Sequence, residues 1–285
     1  MFQPSTNWMS RQFPCDVKDG HFGRPRLVFD CGEKKLRKVP EGITSNATVV
    51  ILKKNDLQQI PGNVFSHQED LAELNLSQAK RNGLKNVDIN EDAFNNLTKL
   101  LSLDLSNNRL TYIPGNLPPS LKTIWLNNNS FLVLNKNSFS GVRNVTHLFL
   151  HQNCYFSNKC FKQVSISDDS LAVLTKLEVL DLSSNNLTRV PKGLPTTLTN
   201  LALSDNQIHY IFEEDFKELH HLKALTVHGN CPRCGNAPYP CVPCPNISLG
   251  IHPMAFIDLT KLRNLDLAGN SQQNLMTFGL KISKI

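Results

Sequence analysis

The apolar residues of this chain recur in a fixed eleven-residue arrangement, apolar at positions 1, 4, 6 and 11 with asparagine at 9. It is clearest at 100–110 (LLSLDLSNNRL), 121–131 (LKTIWLNNNSF), 145–155 (VTHLFLHQNCY), 177–187 (LEVLDLSSNNL) and 198–208 (LTNLALSDNQI). Fainter copies at 47–57, 71–81, 222–232 and 262–272 bring the number to nine, and only the second lacks its asparagine, having Ala79 there. Alternation at positions 4 and 6 predicts a short strand with one face turned inward. The asparagine that follows predicts a turn whose side chain satisfies buried backbone groups.

The asparagine positions, counting Ala79, are 55, 79, 108, 129, 153, 185, 206, 230 and 270, so successive steps are 24, 29, 21, 24, 32, 21, 24 and 40 residues. Short steps predict plain coils and long ones coils with insertions. The segment entering each copy is of two kinds. Three have a proline form, as in 39–47 (VPEGITSNA), 113–121 (IPGNLPPSL) and 190–198 (VPKGLPTTL), and six a phenylalanine form, as in 94–100 (FNNLTKL) and 216–222 (FKELHHL). This is the leucine-rich repeat signature. No coil buries its apolar face alone, and stacking them lays the strands side by side about 4.8 Å apart. The expected fold is therefore an α/β leucine-rich repeat solenoid, a horseshoe with a parallel sheet on its concave face and a disulfide cap at its amino end. The expected divisions are an atypical or disordered 1–14, a cap at 15–46, repeats over 47–270 and an off-pattern tail at 271–285.

Composition narrows the class. Hydrophobic residues make up 40% and charged ones 19%, which suits a globular chain, and no run reaches the 18 apolar residues of a membrane span. A net charge of +6 permits an anionic partner without requiring one. The opening MFQPSTNWMSRQFPC is polar and broken by Pro4 and Pro14, so it does not read as an export signal. Seven glycosylation sequons, at Asn46, Asn75, Asn96, Asn128, Asn144, Asn186 and Asn246, and an even count of eight cysteines nevertheless favour an exported, oxidised protein. The expectation is that the chain lacks its true start.

Four of the cysteines fall in 229–246 (GNCPRCGNAPYPCVPCPN), which begins at the turn of the eighth coil and accounts for most of the 40-residue step. Only six residues separate Cys234 from Cys241, against about 15 to 20 in paired C-x-x-C zinc sites. A redox role needs a thioredoxin-like setting that the repeat does not supply. A disulfide-pinned insertion is favoured, with zinc as the alternative and no metal assigned. Three pairings are open, and nesting Cys231 with Cys244 and Cys234 with Cys241 suits the proline-rich hairpin. Cys154 and Cys160 are expected to pin the smaller insertion of the fifth coil, and Cys15 and Cys31 to close the cap over the first coil's exposed edge.

The stretches QNCYFSNKC (152–160) and GNCPRCGNAPYPCVPC (229–244), the proline and phenylalanine coils, and the cap PCDV…FDCGEKKLRKVP together are similar to the amino-terminal part of the ectodomain of the endosomal nucleic-acid-sensing Toll-like receptors, types 7, 8 and 9. The resemblance runs from about Cys15 to Asn270, and NGLKNVDINEDAF (82–94) and NAPYPCVPC (236–244) are nearest to type 8. It implies a horseshoe that recognises single-stranded RNA, or the nucleosides released from it, in the endosome lumen or secretory pathway and signals by dimerising with a full-length receptor partner. The family's long central loop, later coils, membrane span and signalling domain lie beyond this chain, which alone is not expected to signal.

Read from the residues, the concave candidates are Lys53 and Lys54 in the first coil, Lys122 and Trp125 in the fourth, and His147, Phe149 and His151 in the fifth, with Lys223 and His228 in the eighth. Trp125 and Phe149 hold equivalent positions of neighbouring coils. Two aromatic faces beside cations suit single-stranded nucleic acid, since every base has a π-face and every phosphate a charge. Glu73, Asp104, Glu178, Asp181, Asp205 and Asp266 share the wall, which is mixed rather than basic. An ordinary imidazole becomes charged below about pH 6.5, which would strengthen phosphate attraction on acidification. No catalytic constellation or phosphate-cradling glycine loop is present, so neither an enzyme nor a cofactor is expected. The competing readings are a secreted repeat protein that binds a protein ligand or acts as a soluble decoy, and a nonfunctional truncated product.

Overall fold

The computed structural model of the chain describes residues 13–22, 24–78, 87–154, 164–230 and 249–270. Ala79, Cys160, the four cysteines of 231–244, the Asn246 sequon and the tail 271–285 lie outside the described residues. The expected solenoid is present. Nine three-residue strands, Val49–Ile51, Glu73–Asn75, Ser102–Asp104, Thr123–Trp125, His147–Phe149, Val179–Asp181, Asn200–Ala202, Ala224–Thr226 and Asn264–Asp266, pair in parallel and in chain order. The middle residue of each strand is position 4 of the repeat, and from Val50 to Leu225 every one of these is buried. Leu265, on the last strand, is half-buried.

The cap contributes two further strands. Asp16–Phe22 and Arg24–Asp30 form an antiparallel hairpin whose second strand pairs in parallel with Val49–Ile51, completing an eleven-stranded sheet. Cys15 and Cys31 are joined, as expected, at the open end of this hairpin. Cys154 is also disulfide-bonded, and its expected partner Cys160 lies outside the described residues.

The turn after each strand is held from coil to coil. Asn185 shows the pattern: its Nδ2 donates to the carbonyls of Leu150 (3.0 Å) and Leu182 (2.9 Å), and its Oδ1 accepts the N–H of Asn153 (3.0 Å). Asn129, Asn153, Asn206, Asn230 and Asn270 repeat this with their own neighbours, and all are buried. Position 8, just before the asparagine, is left-handed in all nine coils, with φ between 48° and 68°, although only Gly229 and Gly269 there are glycine. That conformation costs L-residues about 1 kcal/mol or more. It aims the position 8 N–H at the position 7 carbonyl of the next coil, as from Asn128 to His151 (2.8 Å) and from Asp205 to His228 (2.9 Å).

The convex side differs from the α/β expectation in one respect: the described residues contain no helix there. Buried Phe65 stacks on Phe94 (6.4 Å between centroids) and Phe216 on Phe256 (5.9 Å). In the proline coils, buried Pro114, Pro118, Pro191 and Pro195 take that space. Short parallel strand pairs, Gln59–Ile60 with Asp88–Ile89, Val133–Leu134 with Ser165–Ile166 and Tyr210–Ile211 with Gly250–Ile251, join two coils and skip the third. The reason lies in one backbone donor. Asn90, Ser167 and His252 each donate their N–H to the preceding coil, whereas Pro114 and Pro191, at the same place, have none. On the following side the donors of Asn135 and Phe212 are taken by Ser138 Oγ and Asp215 Oδ2. Gly193 (φ +66°) closes a proline coil where a Cβ would overlap the carbonyl oxygen of Asp168.

Replacing Asn185 with Ala strands two carbonyls and one N–H in the interior, at about 1 to 3 kcal/mol for each unsatisfied group. We expect a loss of about 3 kcal/mol or more by urea denaturation. Asn95→Ala on the convex surface, where the exposed side chain bonds only Asp92 among the described residues, should change stability by less than about 0.5 kcal/mol.

Candidate functional site

With positions 4 and 6 inside, positions 3 and 5 of each coil face the open concave side, flanked by 2 and 7. Because neighbouring strands pair without stagger, equal positions form columns along the wall. His147 is in register with Thr123 and Val179, and Phe149 with Trp125 and Asp181. The rings of Trp125 and Phe149 overlap face to face with lateral slip, 5.7 Å between centroids and 7° between planes. Both side chains remain half-exposed. Lys122, at position 2 of the same coil as Trp125, is exposed and has no ion-pair partner among the described residues.

The column at position 5 carries a second device. Asn75, Asp104, Asp181 and Asp266 each turn Oδ1 back to accept the N–H two residues on, at 2.9, 2.9, 2.9 and 3.0 Å, which caps the short strand. The other polar atom of the side chain is left facing the wall. Asp181 Oδ2 lies 3.1 Å from His151 Nδ1, and Asp266 Oδ2 lies 3.1 Å from His228 Nδ1. In both cases the histidine stands at position 7 of the preceding coil. His228 also meets Ser204 Oγ at 3.1 Å and, through Nε2, Asp205 at 3.7 Å. The His151 approach is close but off the hydrogen-bond line, so its attraction to Asp181 is that of an ion pair when the imidazole is protonated.

Burial pushes the Asp181 carboxyl up, but His151 and the Ser183 N–H outweigh it and hold the group below the usual carboxylate range. A depressed carboxylate stabilises the fold above about pH 3.9, the ordinary aspartate value, and that contribution is lost as pH falls through the folded value. The His151 imidazole adds attraction to Asp181 only in its protonated form.

The sequence matches the family described as leucine rich repeat at residues 175–231 and the BspA type leucine rich repeat region, six copies, at 58–187. It is 38% identical over 276 residues to Toll-like receptor 8 of Homo sapiens, covering 93% of this chain and 26% of that protein. It is 38% identical over 250 residues to Toll-like receptor 7 of Mus musculus, covering 85% and 24%, and 35% identical over 273 residues to Toll-like receptor 9 of Mus musculus, covering 92% and 26%. The chain is a leucine-rich repeat chain similar over most of its length to these Toll-like receptors. It spans about a quarter of the length of these relatives.

In this chain the expected site residues do not all converge. Trp125, Phe149, Lys122, His147 and His151 share two adjacent coils. Lys53 lies beyond the end of the first coil's strand with its stem against Gly32, and Lys54 occupies the left-handed turn and pairs with Glu33 at 3.1 Å. These two are three coils away from Trp125 and belong to the cap's surroundings. Of the wall acids, Glu73 is neutralised by Arg26 of the hairpin (2.8 Å), Asp181 lies against His151, and Asp205 and Asp266 share His228. Asp104 and Glu178 have no ion-pair partner among the described residues. The His–Asp pairs escaped sequence reasoning, yet a signal exists: HQNC (151–154) and HGNC (228–231) repeat one motif three coils apart, each followed one coil later by an aspartate at position 5.

We expect a double-mutant cycle of His151→Ala and Asp181→Asn, read by urea denaturation, to give a coupling of about 1 kcal/mol at pH 5.5 and a smaller one at pH 8. Equal coupling at the two pH values would show that the imidazole charge plays no part.

Proposed function

We propose that this chain is the amino-terminal stretch of an innate immune receptor ectodomain, and that its fourth and fifth coils hold single-stranded RNA or its breakdown products. The observation that carries the reading is the half-exposed Trp125–Phe149 stack, with Lys122 in the same coil as Trp125 and His147 two residues from Phe149 on the same strand. Bases have π-faces that rest on such rings whatever their identity, at about 1 to 3 kcal/mol per stacked base. Lys122 supplies a fixed positive charge for a phosphate, and His147 a second one on acidification. His151, already beside Asp181, steadies the platform rather than meeting the ligand. On this reading the event takes place in the endosome lumen, reached through the secretory pathway. Dimerisation with a receptor partner and signalling belong, on this reading, to the other three quarters of a full-length receptor.

The carboxylates of Asp104 and Glu178 favour a second reading, a secreted repeat protein whose wall holds a basic protein ligand. Fluorescence anisotropy with a 20-nucleotide single-stranded oligoribonucleotide separates the two. On the RNA reading, binding is tighter at pH 5.5 than at 7.5, weakens with salt through counterion release, and falls about tenfold or more in Trp125→Ala. Binding that ignores pH and is unchanged in Trp125→Ala would remove the proposal.

A further inference from the structure

The sequons are not equivalent once their surroundings are known. Asn46 and Asn96 are exposed. Asn128 spends its Nδ2 on Asn107 Oδ1 (2.6 Å) and Asn144 spends its own on the carbonyl of Pro119 (3.0 Å). Asn186 sits at the turn, one residue past the buried Asn185. Asn75 is different in place and in chemistry. It stands at position 5 of the second coil, in register with Ile51 and Asp104, in the column that continues to Trp125 and Phe149.

Its Oδ1 is fixed by the N–H (2.9 Å) and Oγ (2.7 Å) of Ser77, the hydroxyl residue of its own sequon. Asp104 makes the same two contacts with Ser106, at 2.9 and 2.6 Å. The cap therefore asks only for an oxygen at position 5, and aspartate would serve it equally well. What asparagine adds is Nδ2, which has no hydrogen-bond partner among the described residues and is not buried. Fixing Oδ1 sets the direction of Nδ2, so a group attached there projects over the concave wall.

We propose that Asn75 carries an N-linked glycan that stands on this wall and screens the Trp125–Phe149 platform from its amino-terminal side. The proposal rests on the exported-receptor reading. In the transfer, Nδ2 forms a bond to the anomeric carbon of an oligosaccharide carried on a lipid pyrophosphate. The bond from that carbon to the pyrophosphate breaks, the pyrophosphate leaves with the electron pair, and one N–H proton passes to a base. Two strand spacings, roughly 10 Å, separate the stem from Trp125 along the sheet. A core of several sugars spans that distance, so ligand reaches the rings from the carboxyl-terminal coils.

The full 285-residue chain, secreted from mammalian cells behind an added export signal, is treated with peptide N-glycosidase in heavy-oxygen water and its peptides weighed. The mass tag is expected at Asn75 as well as at Asn46 and Asn96. An untagged Asn75 beside tagged Asn46 and Asn96 overturns the proposal alone, whereas three untagged sites overturn the exported reading with it. Ser77→Ala removes the sequon while leaving Asn75 and its backbone cap. With the 20-nucleotide oligoribonucleotide, this variant should bind threefold or more tightly than the glycosylated chain. Unchanged affinity with Asn75 occupied overturns the screening role, and no RNA binding by either form overturns the proposed function.

Discussion

A single coil of this protein cannot satisfy its own turn, and the buried asparagine at position 9 is the answer the sequence repeats. Its carboxamide bonds the carbonyl ahead of it in its own coil and reaches into the preceding coil for another carbonyl and an N–H, so each turn is completed only by its neighbour. Burial of the leucines drives the coils together, but burial is non-directional and would tolerate a slipped stack. The ladder does not, because an offset of one residue leaves several buried groups unpaired. Stacking is thereby fixed in register as well as in energy.

That register is what gives the concave wall its chemistry. With no stagger between strands, two residues at the same repeat position face each other one strand apart, and a ligand meets columns rather than a scatter of side chains. Trp125 finds Phe149 for this reason, and Asp181 and Asp266 find His151 and His228 by the same offset of one coil and two positions. The insertions of the fifth and eighth coils follow Asn153 and Asn230, where the ladder has already closed, so they lengthen a coil without shifting its strand. The proline coils act similarly on the other side. By withholding one N–H they divide the convex side into pairs of coils and leave the concave sheet continuous.

Much of this was legible in the sequence, because a feature repeated nine times reports its own geometry. The inward leucines, the turn asparagines and the adjacency of Trp125 and Phe149 follow from position within the repeat, and the Cys15–Cys31 cap from two cysteines set ahead of the first coil. The cap hairpin did not, since 16–30 lacks strict alternation and is held by pairing to Val49–Ile51 rather than by its own pattern. Residues such as Lys54 and Gln152 gave no hint of left-handed turns, because their backbone strain is offset by a hydrogen bond to the next coil, not by a glycine. Lys54 falls at position 8, in the left-handed turn, and Lys53 at position 7, like His151 and His228 but at the cap end of the wall, three coils from Trp125.

The claim most exposed to direct measurement is that the stacked rings, and not the basic cap, receive the ligand. Photocrosslinking the chain at pH 5.5 to an oligoribonucleotide carrying 4-thiouridine, followed by mapping of the adducts, reads the contact itself. The account predicts adducts on the peptides containing Trp125 and Phe149. Adducts confined to the cap around Glu33 to Lys38, with none on the fourth and fifth coils, would contradict it.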